Sequence, residues 1–141
     1  MNKSAKRVAF CLAAAAVVVT VPVVAGATTG VAATRMASGT YRATVHVGPT
    51  VYHATWKVTI SKAGKVTGKS YWTCCPGKRT DPLTGHVTGS KAVIVRHCTG
   101  QGAPYCLQTY TGTASGGTVH GSWTGSGVVP GASTFVLVKT G

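Results

Sequence analysis

The sequence predicts an all-β protein, a small antiparallel up-and-down barrel of about eight strands. Apolar and polar residues alternate along extended segments, which is the period of a half-buried strand. Short turns containing glycine separate these segments at regular intervals. The composition is rich in Thr and Gly, with 22 Thr and 19 Gly among 141 residues, and no stretch carries a sustained helical period.

The individual strands follow from this alternation and from the turns between them. The second strand shows it most clearly, since Trp56 and Val58 alternate with Lys57 and Thr59. Successive side chains of a strand point to opposite faces, so one set faces the core and the other faces solvent. The predicted strands are residues 39–47, 52–61, 65–73, 84–89, 91–98, 105–113, 117–124 and 133–140.

The connections between the strands carry the chemistry of hairpin turns. Gly64, Gly89 and Gly116 stand where a positive φ is expected, a conformation that glycine adopts without steric cost. An even number of sequential hairpins closes most simply as an up-and-down barrel, which leaves no sheet edge exposed. The alternative is a two-sheet β-sandwich.

Several segments of these hairpins resemble a known architecture. They are residues 60–71, Tyr110–Gly112, Gly121–Trp123 and Phe135–Leu137. Together they are similar to the repeated hairpin pattern of avidin-like and lipocalin-like barrels. The resemblance implies a barrel architecture, and a shared fold does not imply a shared ligand.

The N-terminus has the three parts of a secretory signal peptide. Lys3, Lys6 and Arg7 precede an apolar run, and small residues follow that run. We predict a signal peptide over 1–27, with cleavage as late as 33, then a flexible arm over 28–38 and a barrel domain over 39–141. The protein is therefore expected to be secreted, with no stable membrane anchor after cleavage; an uncleaved anchor is the alternative.

Four cysteines follow the predicted leader, and in an exported chain they are expected to form disulfides. One arrangement pairs Cys98 with Cys106 across a hairpin. The other ties Cys74 and Cys75 separately to Cys98 and Cys106, which would clamp the loop after residue 73. Adjacent cysteines on an extended segment point to opposite faces, so the spacing does not favour a metal site. We expect neither a metal nor a cofactor.

The chain contains a single acidic residue, Asp81. Paired carboxylates and carboxylate metal cages are therefore excluded, and we predict no enzymatic activity and no catalytic residues. Asp81 precedes a proline, which predicts a turn carboxylate paired with Arg79. The alternative makes Asp81 the residue that orients a histidine in a small hydrolase.

Histidines offer the one catalytic design that needs no carboxylate. His46, His53 and His120 stand at polar positions of predicted strands. Two imidazoles, one acting as base and the other as acid, could cleave RNA. A histidine-based secreted ribonuclease is therefore an alternative function.

Positive charge is the feature that most directly suggests a partner. The chain has 14 Lys and Arg for its one acid, and only three of the 14 lie in the predicted leader. These cations are spread along strands and turns, so a positive potential is expected over most of the surface. We predict a secreted non-enzymatic binding protein whose partner is an anionic polymer or an acidic protein. Nucleic acid is not expected as a specific partner, because the aromatic residues are placed as core residues rather than as a stacking platform.

Two further binding sites are suggested by the sequence. The loop 74–82 carries Lys78 and Arg79 between cysteines and prolines, which is typical of a preorganised recognition loop and of a secreted protease inhibitor. A small apolar ligand inside the barrel is the other hypothesis. Its predicted lining is Trp56, Trp72 and Trp123, with Tyr41 and Phe135.

Overall fold

The computed structural model describes residues 35–73, 79–98, 107–126 and 128–141. Within these ranges the regular secondary structure consists of eight β-strands. They are β1 (Gly39–Val47), β2 (Thr50–Ile60), β3 (Lys65–Trp72), β4 (Arg79–Thr88), β5 (Lys91–His97), β6 (Leu107–Ser115), β7 (Thr118–Gly125) and β8 (Thr134–Lys139).

The eight strands form one closed antiparallel barrel in sequence order. Each strand pairs with the next along the chain, and β8 returns to pair with β1, where Ala43 lies opposite Leu137. The predicted up-and-down barrel is therefore confirmed, and the two-sheet sandwich is not the fold. Closure leaves no unpaired sheet edge among these strands.

The alternation read from the sequence is the inward and outward alternation of the barrel. In β2 the buried positions are Ala54, Trp56 and Val58, and the residues between them are exposed. The inward residues of all eight strands form one hydrophobic core. Its largest fully buried apolar or aromatic side chains are Trp56, Trp123, Tyr41, Tyr110, Phe135, Leu83, Ile94 and Leu137.

A pair of glycines makes room for this core. Gly112 of β6 and Gly121 of β7 lie directly opposite each other. A Cβ atom at Gly112 would come within 2.8 Å of the ring of Phe135, and one at Gly121 within 2.0 Å of the Thr111 carbonyl oxygen. Because both residues lack a Cβ atom, the two strands can approach closely and the Phe135 ring has room in the core.

The two ends of the barrel differ. At one end the turns are short. Gly89 and Gly116 in these turns have the positive φ that the sequence predicted, 56° at each. The segment before β1 packs against this end: Met36 is buried, and the Tyr41 hydroxyl donates to the Ala37 carbonyl at 2.6 Å. Residues 35–38 of the predicted flexible arm are therefore held on the barrel. At the other end the β1–β2 turn is also short, and the other three connections are longer.

One strand differs clearly from the prediction. We expected β4 to begin at residue 84 because Asp81 and Pro82 are typical of a turn, but the strand begins at Arg79. Asp81 lies opposite Ser70 of β3 and points into the barrel, and Pro82 lies on the outer surface. The prediction of Asp81 as a turn residue was wrong, because pairing with β3 overrides the local turn preference.

Candidate functional site

Four exposed cations lie on the outer surface of three neighbouring strands. Arg42 belongs to β1, Lys57 to β2, and Lys65 and Lys69 to β3. All four occupy outward positions of the alternating pattern. We call this surface, defined by Arg42, Lys57, Lys65 and Lys69, the basic face.

The strand register brings three of these cations close together. Lys57 and Lys69 are direct partners across β2 and β3. Arg42 lies opposite Thr55, two residues before Lys57, and so is a diagonal neighbour of Lys57. Directly opposed side chains have Cβ atoms about 5 Å apart, and like charges at that separation are destabilising. The positive charge is therefore concentrated here at some cost to the fold.

No acidic side chain offsets this charge at the surface. Asp81 is the one acid of the chain, and it is fully buried. Its carboxylate oxygen Oδ2 accepts a hydrogen bond from Arg96 Nε at 2.7 Å and forms an ion pair with Arg96 Nη2 at 2.5 Å. Asp81 and Arg96 thus neutralise each other inside the barrel, and the exposed cations keep their full charge.

The opposite part of the barrel is uncharged. The outward residues of β6 and β7 include no Lys, Arg, Asp or Glu. They are Leu107, Thr109, Thr111, Thr113, Ser115, Thr118, His120, Ser122 and Thr124. The sequence predicted positive potential over most of the surface, whereas the described strands concentrate the charge on β1–β3. Strand register, which places distant cations side by side, could not be read from the spacing of cations along the chain.

A polar network surrounds the buried ion pair. The Arg96 guanidinium lies 4.0 Å from the centre of the Trp72 ring, a cation–π contact, and its Nη1 donates to Gln108 Oε1 at 2.8 Å. Gln108 Oε1 also accepts from the Tyr110 hydroxyl at 2.9 Å. On the other side, Trp72 Nε1 donates to Ser70 Oγ at 2.9 Å. We expected Arg96 to be a surface cation, but the structure buries it as a partner of Asp81. The predicted pairing of Asp81 with Arg79 stays a prediction.

Burial raises the pKa of Tyr110 to about 12, an effect that nearby Arg96 partly offsets and Asp81 reinforces. A raised pKa means that the folded state holds this proton more tightly than the unfolded state. The resulting stability is complete below pH 10, the ordinary tyrosine pKa, and is lost as the pH rises toward 12.

We expect the free energy of unfolding to fall by about 2–3 kcal/mol between pH 10 and pH 12 through Tyr110, at 1.36 kcal/mol per pKa unit. Urea unfolding followed at several pH values measures this, and Tyr110→Phe should reduce the alkaline loss. Tyr71→Phe, which removes the same hydroxyl group from the outer surface, is the matched control. An undiminished loss in Tyr110→Phe would contradict the assignment.

The three tryptophans predicted to line a ligand site all point into the barrel, and all are buried. Trp56 makes an edge-to-face contact with Tyr110 at 5.0 Å between ring centres, and Trp123 stacks on Tyr110 at 6.0 Å. Phe135 meets Tyr110 edge-to-face at 5.2 Å. Because the rings contact one another, the geometry favours an interior filled by the protein's own side chains.

The predicted recognition loop lies partly outside the described residues. Cys74, Cys75 and Lys78 of this loop lie outside the described residues. Cys106, in another connection, also lies outside them. Arg79 begins β4 and is half-buried, so this half of the predicted loop is strand. Cys98 is buried and disulfide-bonded. Its pairing stays a prediction.

Of the histidines in the ribonuclease hypothesis, His46 and His53 are diagonal neighbours across β1 and β2, whereas His120 lies apart from His53. His53 lies opposite Thr44 of β1, Thr44 lies opposite Val136 of β8, and Val136 lies opposite His120 of β7. Three strand spacings of about 4.8 Å put His53 and His120 roughly 14 Å apart along the sheet. That separation is too long for the two to act on one bond as base and acid.

Metal-ligating residues are also dispersed in the described ranges, where no three His, Cys, Asp or Glu side chains gather around a common point. The same ranges contain no apolar helix of membrane-spanning length.

Comparison with protein-family models, curated proteins and solved structures finds no match to this chain. The barrel architecture that the resemblance implied is confirmed by the eight-stranded closed antiparallel sheet, and no family is assigned.

Proposed function

We propose that this protein is a secreted, non-enzymatic binding protein that holds an anionic polymer on its basic face. Secretion is inferred from the predicted signal peptide, which lies outside the described residues. The observation that carries the proposal is the direct pairing of Lys57 with Lys69 across β2 and β3. A barrel needs no such pair for folding, whereas a polyanion is attracted to it.

The surroundings of this pair support the same function. Arg42 adds a third charge at a diagonal position, and no carboxylate side chain of the chain is exposed. Three adjacent strands span about 10 Å, close to the Debye length in 0.1 M salt, so the charges of the basic face act on a ligand together. Binding through these charges should weaken steeply as salt is raised.

Salt elution from an immobilised anionic matrix tests the proposal. We expect Lys57→Gln/Lys69→Gln to elute at clearly lower salt than the unmodified protein and to bind about tenfold more weakly in 0.1 M salt. The matched control is Lys91→Gln/Lys139→Gln, which removes the same charge from exposed positions at the ends of β5 and β8. Equal losses in both variants would mean that net charge alone, and not the basic face, retains the protein.

Charge reversal separates a binding role from a structural one. Lys69→Glu converts the repulsive pair with Lys57 into an attractive one, so the fold should gain a few tenths of a kcal/mol. The same variant should lose binding. If stability and binding instead changed in the same direction, Lys69 would act through the fold, and the proposal would fail.

A further inference from the structure

We infer that the ligand of the basic face is a polyol-phosphate polymer, a chain of phosphodiesters joined by hydroxyl-bearing carbon units without aromatic bases. This inference rests on the proposed polyanion-binding function and names its substrate class. It follows from the residues that stand between the cations, and from what the basic face lacks.

Threonines and cations alternate over the basic face. Along the outer side of β1, Arg42 stands between Thr40 and Thr44, and along β2, Lys57 stands between Thr55 and Thr59. On β3 the outward order is Lys65, Thr67 and Lys69. Thr55, Thr59 and Thr67 are exposed.

The strand register extends this alternation into two dimensions. Thr40 lies opposite Lys57, Arg42 lies opposite Thr55, and Thr59 lies opposite Thr67. Each cation therefore has hydroxyl groups as neighbours along its strand or across it. A threonine hydroxyl both donates and accepts hydrogen bonds, so it can pair with a sugar or polyol hydroxyl while a neighbouring cation contacts phosphate.

Aromatic stacking is nearly absent from the basic face. Tyr71 is the one exposed aromatic side chain of β1–β3, and the Lys57 ammonium lies 5.6 Å from its ring centre. The tryptophans of the described residues are all buried. Single-stranded nucleic acid is usually held by aromatic side chains on which successive bases stack. The bases of a nucleic acid would therefore find little to bind here.

The basic face is also poorly suited to a lipid surface. Proteins that lie on a membrane bury apolar side chains at the acyl boundary as well as attracting the headgroups. On β1–β3 the exposed large hydrophobic residues are Val51 and Tyr71 only. Charge and hydroxyl groups without apolar anchors favour a water-soluble polymer of phosphates and polyols.

The spacing of the cations suits a flexible chain. Lys57 and Lys69 have Cβ atoms about 5 Å apart, and Lys65 lies four residues from Lys69, roughly 13 Å along β3. A flexible polymer with regularly repeated phosphates can contact the close pair and the more distant cation in one pass over the convex barrel surface.

Binding assays with four probes of equal phosphate number test the inference. They are polyglycerol phosphate, inorganic polyphosphate, an oligothymidylate strand, and vesicles containing phosphatidylglycerol. The decisive variant is Thr55→Val/Thr67→Val, which keeps every charge, and valine suits an exposed strand position as well as threonine does. We expect it to weaken polyglycerol phosphate binding about tenfold and to change polyphosphate binding less than twofold.

The outcomes distinguish the two proposals. Equal weakening for both polymers, or no weakening for either, would overturn the polyol-phosphate inference and leave polyanion binding in place. Tighter binding of oligothymidylate than of polyglycerol phosphate would assign the face to nucleic acid, and binding to vesicles alone would assign it to a membrane. Absence of binding to all four probes would overturn the proposed function itself. Thermal unfolding of the valine variant checks that its fold is unchanged.

Discussion

Asp81→Ala is expected to lower the free energy of unfolding by about 3–5 kcal/mol, the usual cost of removing one partner of a buried ion pair. Asp81 is fully buried and Arg96 is 7% exposed. Without the carboxylate, the guanidinium loses its ion pair and the Nε hydrogen bond but keeps its charge inside the barrel. Arg96 also contacts the Trp72 ring, the Gln108 amide oxygen and the Tyr110 hydroxyl, and the ring and the amide carry no compensating negative charge.

The double variant Asp81→Leu/Arg96→Met separates the charge from the packing. Replacing both members of a buried ion pair with apolar side chains is often neutral or stabilising. We expect this variant to recover most of the stability lost in Asp81→Ala, with methionine packing on the Trp72 ring. Urea unfolding followed by tryptophan fluorescence measures both variants. A double variant as unstable as the single one would show that the hydrogen-bond network, and not the unpaired charge, sets the cost.

The strand order and most strand boundaries could be predicted from the sequence because both depend on local signals. Residues 39–47 were predicted as a strand and are one, with Tyr41, Ala43 and Val45 facing the core. The short glycine turns fixed the positions of the hairpins. The sequence could not reveal that Asp81 and Pro82 belong to β4, since their local preference is for a turn and only pairing with β3 overrides it.

The sequence predicted an excess of exposed cations but not which of them would lie side by side in the basic face. The sequence indicates that cations greatly outnumber acids and that Lys57 and Lys69 lie on the polar side of their strands. Their direct pairing depends on the register of β2 against β3, in which Ala54 lies opposite Trp72. A shift of that register by two residues would keep both lysines outward and would move them apart. The burial of Arg96 likewise depends on its partner Asp81, which we predicted in a turn and which lies in β4.

Trp56→Ala is expected to be as costly as the loss of Asp81, about 3–5 kcal/mol, because it removes a large side chain from the centre of a packed core. Trp56 is fully buried, and its ring meets Tyr110 edge-to-face. Its indole Nε1 is the one buried side-chain nitrogen or oxygen of the described residues without a hydrogen-bond partner.

Trp123 is a matched comparison for Trp56. Its indole Nε1 donates to the His46 carbonyl at 3.1 Å, whereas the Nε1 of Trp56 has no partner. Phenylalanine at either position removes similar volume, but only Trp123→Phe breaks a hydrogen bond. Losing this hydrogen bond should make the change at Trp123 about 1 kcal/mol more costly than the same change at Trp56. Urea unfolding of the two phenylalanine variants tests this. Equal costs would contradict this prediction. They would indicate that a buried water molecule pairs with the Trp56 N–H inside the barrel.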